Sequence, residues 1–171
     1  MMVRLFCRPQ FYFWHVRTLS TGFVHFLKAA MAQAKIVITD SVDEQMIETL
    51  SEGLNGFNDE VTGYADRQPL AVILKDPESD RVLGGVTGRS SLGLLFLDLF
   101  YLPESLRGSG LGTQILKMFE DEGRRRGCRS AVLYTISFQA PKFYERHGWV
   151  AFGEIACDPP GTSRVFMTKS L

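Results

Sequence analysis

From residue 35 onward the apolar and polar positions follow two rhythms, short β-type runs and helical spacing. Ile36-Val37-Ile38-Thr39 predicts a short strand. Asp40, Ser41, Asp43 and Glu44 supply capping and first-turn acids for a helix over residues 43–54, with Gly53 and Gly56 expected to end it. Residues 55–68, rich in Gly, Asn and Asp, predict a loop. A strand is expected over residues 70–74, a turn over 76–80 and a returning hairpin strand over 81–87. Residues 94–102 form a nearly continuous apolar run between Gly93 and Pro103, short for a helix and long enough for a central strand, with Asp98 as its one charge.

Further along, Leu111, Ile115, Met118 and Phe119 share one face with charges opposite them, which predicts an amphipathic helix over residues 110–127 stopped by Gly127. A strand is expected over residues 131–136, a short helix from Pro141 to Arg146, and strands over 149–154 and 165–167. The order β, α, loop, three strands, α, β, α, β, β describes an α+β domain around a mixed sheet flanked by helices.

Composition narrows the class. The chain has 171 residues, 45% hydrophobic and 22% charged, which suits one globular domain able to bury a core. Net charge is zero, so nothing global draws it to nucleic acid or an anionic membrane. Of the 19 basic residues, four precede residue 35 and none of the 19 acids does, which leaves 15 bases against 19 acids in the rest. A mildly acidic enzyme domain suits a small neutral or cationic substrate better than DNA. Cys7, Cys128 and Cys157 are odd in number and widely spaced, so neither a disulfide framework nor a metal cluster is expected.

Residues 1–34 are apolar, aromatic and basic, but Arg4, Arg8, His15, Arg17, His25 and Lys28 interrupt every run long enough to span a membrane. The segment is read as a leader outside the domain. Either it is dispensable, with Met31 as the working start, or it is a targeting stretch, which its Arg, Ser and Thr content imitates. The domain proper is taken as residues 35–171, with no membrane span and a cytoplasmic location.

Candidate chemistry centres on Arg107-Gly108-Ser109-Gly110-Leu111-Gly112-Thr113, between the apolar strand and the amphipathic helix. A helix start leaves backbone N–H groups unpaired, glycines let a bulky anion approach, and the helix dipole and Arg107 add positive charge, which together make a pyrophosphate cradle. A Walker A loop would end Gly-Lys-Ser/Thr, but Gly112 is followed directly by Thr113. A dinucleotide fingerprint would space its glycines differently and end the next strand on an acid, where this chain has Tyr134-Thr135-Ile136. A purely structural strand-to-helix turn stays open on these residues alone.

Residues 106–112 resemble the signature of the GCN5-related N-acetyltransferase (GNAT) superfamily: Arg or Gln, two residues, Gly, one residue, Gly or Ala. Ser137-Phe138-Gln139-Ala140-Pro141-Lys142-Phe143-Tyr144-Glu145-Arg146-His147-Gly148-Trp149 resembles its second segment, in a small bacterial-type subgroup. One departure is Ser137, where the superfamily often has Asn. The resemblance implies the acyl-CoA N-acyltransferase fold and acetyl-CoA as cosubstrate without a metal. It also implies transfer of acetyl to a primary amine of a small molecule or peptide by direct attack.

On that resemblance, the pantetheine arm lies along Phe100-Tyr101-Leu102, where the strand diverges from its neighbour. The loop from Arg107 to Thr113 holds the pyrophosphate, Ser137 and Phe143 contact the cofactor, and Tyr144 is the general acid. Asp98 is either the base or a structural carboxylate, since a charge in an apolar strand needs solvent or a partner. His147 matches a variable position and is expected at the surface. Arg124, Arg125 and Arg126 are read as a solvated helix end favoured by the dipole rather than a nucleic-acid contact. Loops over residues 55–68 and 156–163 are expected to shape the acceptor pocket, and a homodimer is compatible with the chain. The alternative function is a catalytically silent CoA-binding regulatory module.

Overall fold

The computed structural model describes residues 34–171, so the leader expected over residues 1–34 lies, but for Ala34, outside the described residues. The chain parts into two compact units, residues 1–48 and 49–171. In the described part of the first unit, Ile36, Val37 and Ile38 are exposed and carry no strand pairing, contrary to the expected strand. Strand-prone residues form a strand only against a partner edge, and none meets them among the described residues.

Helix α1 (Glu44–Thr62) starts where the Asp43 carboxylate accepts the Met46 N–H at 2.8 Å. It runs through Gly53 and Gly56, so most of the loop expected over residues 55–68 is helical. A glycine inside a helix costs about 1 kcal/mol relative to alanine and does not by itself stop it. The stop comes at Gly63, whose φ of 65° is left-handed.

The second unit holds a six-stranded sheet: β1 (Gln68–Lys75), β2 (Val82–Ser91), β3 (Leu94–Tyr101), β4 (Ser130–Ile136), β5 (Val150–Cys157) and β6 (Thr162–Ser170), in the order β1-β2-β3-β4-β6-β5. Every neighbouring pair is antiparallel except β3 and β4, which run parallel and are joined through helix α2 (Leu111–Arg125). Parallel neighbours need such a crossover, and this one makes the sheet mixed. A six-residue helix α3 (Pro141–Arg146) links β4 to β5.

The core lies where α2 packs on the sheet, with Val86, Leu95, Leu116, Phe119, Ala131 and Met167 almost wholly removed from water. The buried face of α2 is turned relative to the expected one. Leu116 and Glu120 are buried with Ile115 and Phe119, whereas Met118 is exposed. A thioether at that position lies outside the stripe that meets the sheet, which a spacing count on α2 alone did not resolve.

One irregularity shapes the sheet. Gly88 pairs with Leu97 and Thr87 with Leu99, so Asp98 is an extra residue bulged out of β3. Opposite the bulge, a Cβ on Gly88 would drive into the Phe96 carbonyl oxygen and lie 2.7 Å from the Phe119 ring. Glycine is therefore required there for close approach. Beyond the bulge β3 leaves β4: the parallel pairing covers only Leu94–Phe96 against Ser130–Val132. Residues 97–101 keep one edge bonded to β2 and one edge without a strand partner.

Glu120 is 4% exposed and fully engaged. Its carboxylate accepts the Trp149 indole N–H at 2.9 Å, the Lys169 ammonium at 2.6 Å and the Arg124 guanidinium at 3.4 Å. These bonds tie α2 to the chain entering β5 and to β6. The run Arg124 to Arg126 is likewise occupied: Arg125 and Arg126 grip Glu122, and hydrogen bonds from Arg125 and then Arg126 hold that carboxyl down at about 2. Arg126 also donates to the Gln68 and Pro69 carbonyls and the Ser90 hydroxyl, stapling the end of α2 to β1 and β2. Among the described residues, no helix is long and apolar enough to cross a membrane.

Glu120→Ala is expected to lower stability by about 3–5 kcal/mol in urea unfolding, because it strands a buried ammonium. Asp121→Ala, next along the helix but solvated, is expected to leave the midpoint nearly unchanged. Similar midpoints for the two variants would show that the buried network contributes nothing net. Gly88→Ala is expected to cost about 1–3 kcal/mol by overpacking.

Candidate active site

The divergence of β3 from β4 opens a cavity of about 740 Å³ in the second unit. One wall is the free edge of β3, where Phe100, Tyr101 and Leu102 line it. Pro103 follows and starts the 3-10 turn Glu104–Leu106, which turns the chain into the glycine loop.

The loop is built for an anion. Gly108 and Gly110 have φ of 77° and 88°, left-handed values that a residue with a Cβ adopts only at a cost of roughly 1–2 kcal/mol. A Cβ at either would meet nothing within 4 Å, so the requirement at these two positions is conformational. Gly110 is the N-cap of α2 and no side chain caps the helix, nor is there an acid in its first turn. The first turn closes with the Gln114 N–H donating to the Gly110 carbonyl at 3.1 Å, so the amides of residues 111–113 have no acceptor in the preceding turn. Unpaired amides and a dipole carrying about half a positive charge make this end attractive to phosphate.

Arg107 is held at the loop entrance by its Nε, which donates to the Leu102 carbonyl at 3.0 Å, and among the described residues the rest of its guanidinium has no protein partner. Arg107, Gly108, Gly110, Gly112 and Thr113 all line the cavity. Two other loop residues do not. The Ser109 hydroxyl donates to the Leu106 carbonyl at 2.8 Å and steadies the turn, and Leu111 contributes to the helix start.

The opposite wall comes from β4 and α3. Gln139 accepts from the Thr135 hydroxyl at 3.2 Å and the Ile136 N–H at 3.0 Å, which ties the loop after β4 to the strand end and aims Pro141 into α3. Phe143 stands edge-on to Phe100 at 5.9 Å and to Tyr144 at 5.2 Å, and Tyr144 in turn meets Trp149 at 5.9 Å. This chain of rings carries the cavity wall back into the core.

Tyr144 is 6% exposed, lines the cavity, and its hydroxyl makes no hydrogen bond among the described residues. Burial pushes its phenol up to about 12, so the proton stays on across the physiological range.

Two further expected site residues, besides Ser109 and Leu111, fall elsewhere. Ser137 does not line the cavity: its hydroxyl accepts the Ser163 N–H at 3.1 Å and its own N–H donates to the Ser163 carbonyl at 2.9 Å, which pins the end of β4 to β6. Asp98 does not line it either. It is about half exposed and chelated by Arg89 at 2.6 and 2.7 Å, with the same guanidinium 4.4 Å over the Phe96 ring.

Conversely, His147, expected at the surface, is half-buried against the site. It stacks on Phe143 at 4.5 Å, meets the Phe143 carbonyl at 2.7 Å through Nδ1 and the Thr113 hydroxyl at 3.0 Å through Nε2. Arg146, Thr135 and Gln139 are further lining residues that sequence reasoning left without a role. The Phe-Gln-Ala-Pro run was a signal for Gln139. Nothing in the chain marked Arg146 or His147 apart from other helix-end cations. Of the cysteines, Cys128 is buried, and burial raises its thiol.

The chain is similar to an acetyltransferase of Agrobacterium fabrum, 29% identical over 133 residues that cover 78% of this chain and 96% of that one. It is also similar to a blasticidin-S acetyltransferase of Streptomyces morookaense, 33% identical over 113 residues covering 64% and 83% of the two chains. Among solved structures it matches one from Agrobacterium tumefaciens described as an acetyltransferase, with a TM-score of 0.74, 28% identity, and coverage of 81% of this chain and all of that one. Residues 39–149 match the model of the acetyltransferase (GNAT) family. A mixed sheet with a splayed parallel pair, a glycine-rich helix start facing the gap, and this match together place the chain in the GNAT acetyltransferase family.

Proposed function

We propose that the protein transfers acetyl from acetyl-CoA to a primary amine of a small molecule or peptide. The observation that carries this is the uncapped, glycine-rich start of α2 with Arg107 beside it, opening into the cavity between β3 and β4. The cavity is within the range that holds a cofactor-sized ligand, and its apolar and aromatic wall along Phe100, Leu102 and Phe143 suits a pantetheine arm. The relative from Streptomyces is named a blasticidin-S acetyltransferase, which supports a small-molecule acceptor for this chain as well.

Acetyl-CoA supplies an activated thioester. The amine forms a bond to the acyl carbon, the C–S bond breaks with its electron pair on sulfur, and one proton must pass from nitrogen to sulfur. The chain's residues serve the two ends of that proton's path. The free edge of β3 offers main-chain N–H groups to the carbonyl oxygen as it gains charge. Tyr144 offers to the departing sulfur a hydroxyl that has no partner among the described residues. A phenol at about 12 is a weak acid toward a thiol, whose ordinary value is about 8.5. The same desolvation raises the thiol, which narrows that gap. Tyr144 therefore acts by hydrogen-bonding the sulfur as it develops charge and completing proton transfer as the thiolate leaves.

Asp98, held by Arg89 outside the cavity at the bulge where β3 diverges, is in this reading either a base reached through water or a structural carboxylate. Its bulged position explains how a carboxylate comes to stand at the point of divergence. A silent CoA-binding module would share the glycine loop, but the unpartnered Tyr144 hydroxyl favours an enzyme.

Calorimetric titration of the protein with acetyl-CoA is expected to saturate, and Arg107→Glu to weaken binding by about tenfold or more through loss of a charge-assisted contact and gain of repulsion. Unaltered binding by Arg107→Glu would remove the phosphate loop from the site. In assays of an amine panel by mass spectrometry, Tyr144→Phe is expected to lower kcat by about 10²-fold with the KM for acetyl-CoA little changed. Saturable binding with no acetylated product on any amine would select the silent module. An acid works while protonated and fails as pH rises through its pKa, so wild-type kcat should show no loss attributable to Tyr144 below about pH 10. Asp98→Asn is expected to cut kcat while acetyl-CoA affinity holds; full activity would assign Asp98 to structure alone.

A further inference from the structure

The second unit carries two apolar surfaces that have no partner among the described residues. The first is on α1, whose residues 49–62 belong to that unit. Leu50, Leu54, Phe57 and Val61 recur at helical spacing and form one stripe, yet all four are exposed and the helix buries none of its residues. Such a stripe is the pattern of a helix laid on an apolar surface. The second is on the sheet. Helix α2 covers the face that carries Leu95, Leu97, Ala131, Leu133 and Met167, and alternate positions of the same strands point the other way. On that other face Leu99 and Tyr101 of β3, Tyr134 of β4, and Phe152 and Ile155 of β5 are exposed. Tyr134 and Phe152 both meet the Phe166 ring of β6, at 5.9 and 6.3 Å, so the patch runs across three strands.

The chain between α1 and β1 is tied down. The Thr62 hydroxyl donates to the Asn58 carbonyl at 2.7 Å and accepts the Tyr64 N–H at 3.2 Å, and Asp59 pairs with Arg67 at 3.4 Å. The Asp66 carboxylate accepts the Leu92 N–H at 2.7 Å, at the turn between β2 and β3. These bonds fix the departure of α1 in a geometry that leaves its stripe off its own sheet.

A second copy of the chain answers both surfaces at once, each α1 lying on the other's sheet in a twofold exchange. Charge agrees with this. Glu60 flanks the stripe about a quarter-turn away, and Arg164 borders the patch, 5.4 Å over the Tyr134 ring. Neither takes part in an ion pair among the described residues. At roughly 100 Å² for each of these largely exposed side chains, the two symmetric contacts remove on the order of 1,800 Å² from water, the size of a stable interface.

We propose that α1 docks on the exposed sheet face of a second copy, making a dimer by reciprocal exchange of this helix. Tyr101 belongs both to the patch and to the cavity wall, so the docked helix borders the cavity. The proposal does not depend on the acetyl-CoA reading above.

The test is sedimentation equilibrium of the full chain over a micromolar range of concentration. The wild type is expected at twice the monomer mass. Phe57→Glu on the helix and Tyr134→Glu on the sheet are each expected to weaken association by about tenfold or more, because each places an unpaired charge in an apolar contact. Glu52→Gln, on the far side of α1, is expected to change nothing. Mixed together, the Phe57→Glu and Tyr134→Glu proteins are expected to regain dimer, since one of the two contacts then joins an intact helix to an intact sheet. Circular dichroism checks the fold of each variant, and both substituted side chains are exposed in the single chain. A wild type that stays monomeric overturns the proposal. A dimer weakened by Phe57→Glu but not by Tyr134→Glu also overturns it, by setting helix against helix, as does a mixture that regains no dimer.

Discussion

The separation of β3 from β4 after three paired residues is the constraint on which the rest of the site depends. A parallel pair that continued would bond both edges of β3 and leave no gap. The extra residue at Asp98 breaks the register, increases the local twist and turns the strand away, and Gly88 permits it by letting the Phe96 carbonyl and the Phe119 ring come close. Everything that lines the cavity then follows from where the chain must go next. β3 ends at Tyr101, the turn at Pro103 redirects it, and α2 begins with its uncapped end facing the opening.

The cavity and the core share residues, so they are held by the same contacts. Trp149 presents its indole N–H to the buried Glu120 and its ring to Tyr144. Glu120 is itself secured by Lys169 from β6. The phenol proposed to meet the leaving sulfur is thus backed by a ring that cannot shift without disturbing a buried ion pair. Buried carboxylates of this kind are poor contributors to net stability but costly to break, which favours one arrangement over near alternatives.

Two groups of arginines differ by their surroundings. Arg124, Arg125 and Arg126 meet Glu120, Asp121 and Glu122 on their own helix, and Arg126 reaches β1 and β2, so the run serves structure. Arg107 and Arg146 face the cavity without a carboxylate among the described residues. Cations left unpaired beside unpaired amides favour anionic ligands, and the difference between the two groups lies in their neighbours rather than in residue type.

Read as a string, the chain already carried its α+β class, the placing of most strands, the glycine loop and the aromatic pair Phe143-Tyr144, because periodicity, glycine spacing and local motif are properties of near neighbours. Tertiary structure decided what depends on distant partners. It ran α1 through Gly53 and Gly56 to Thr62, turned the buried face of α2 to include Leu116 and Glu120, and left the Ile36 segment without a partner edge among the described residues. It took Ser137 into a pairing with Ser163, gave Asp98 to Arg89, and brought His147 across to Thr113, thirty-four positions away in sequence. A side chain's chemistry is set by what packs against it, and in these cases the packing partner comes from another element.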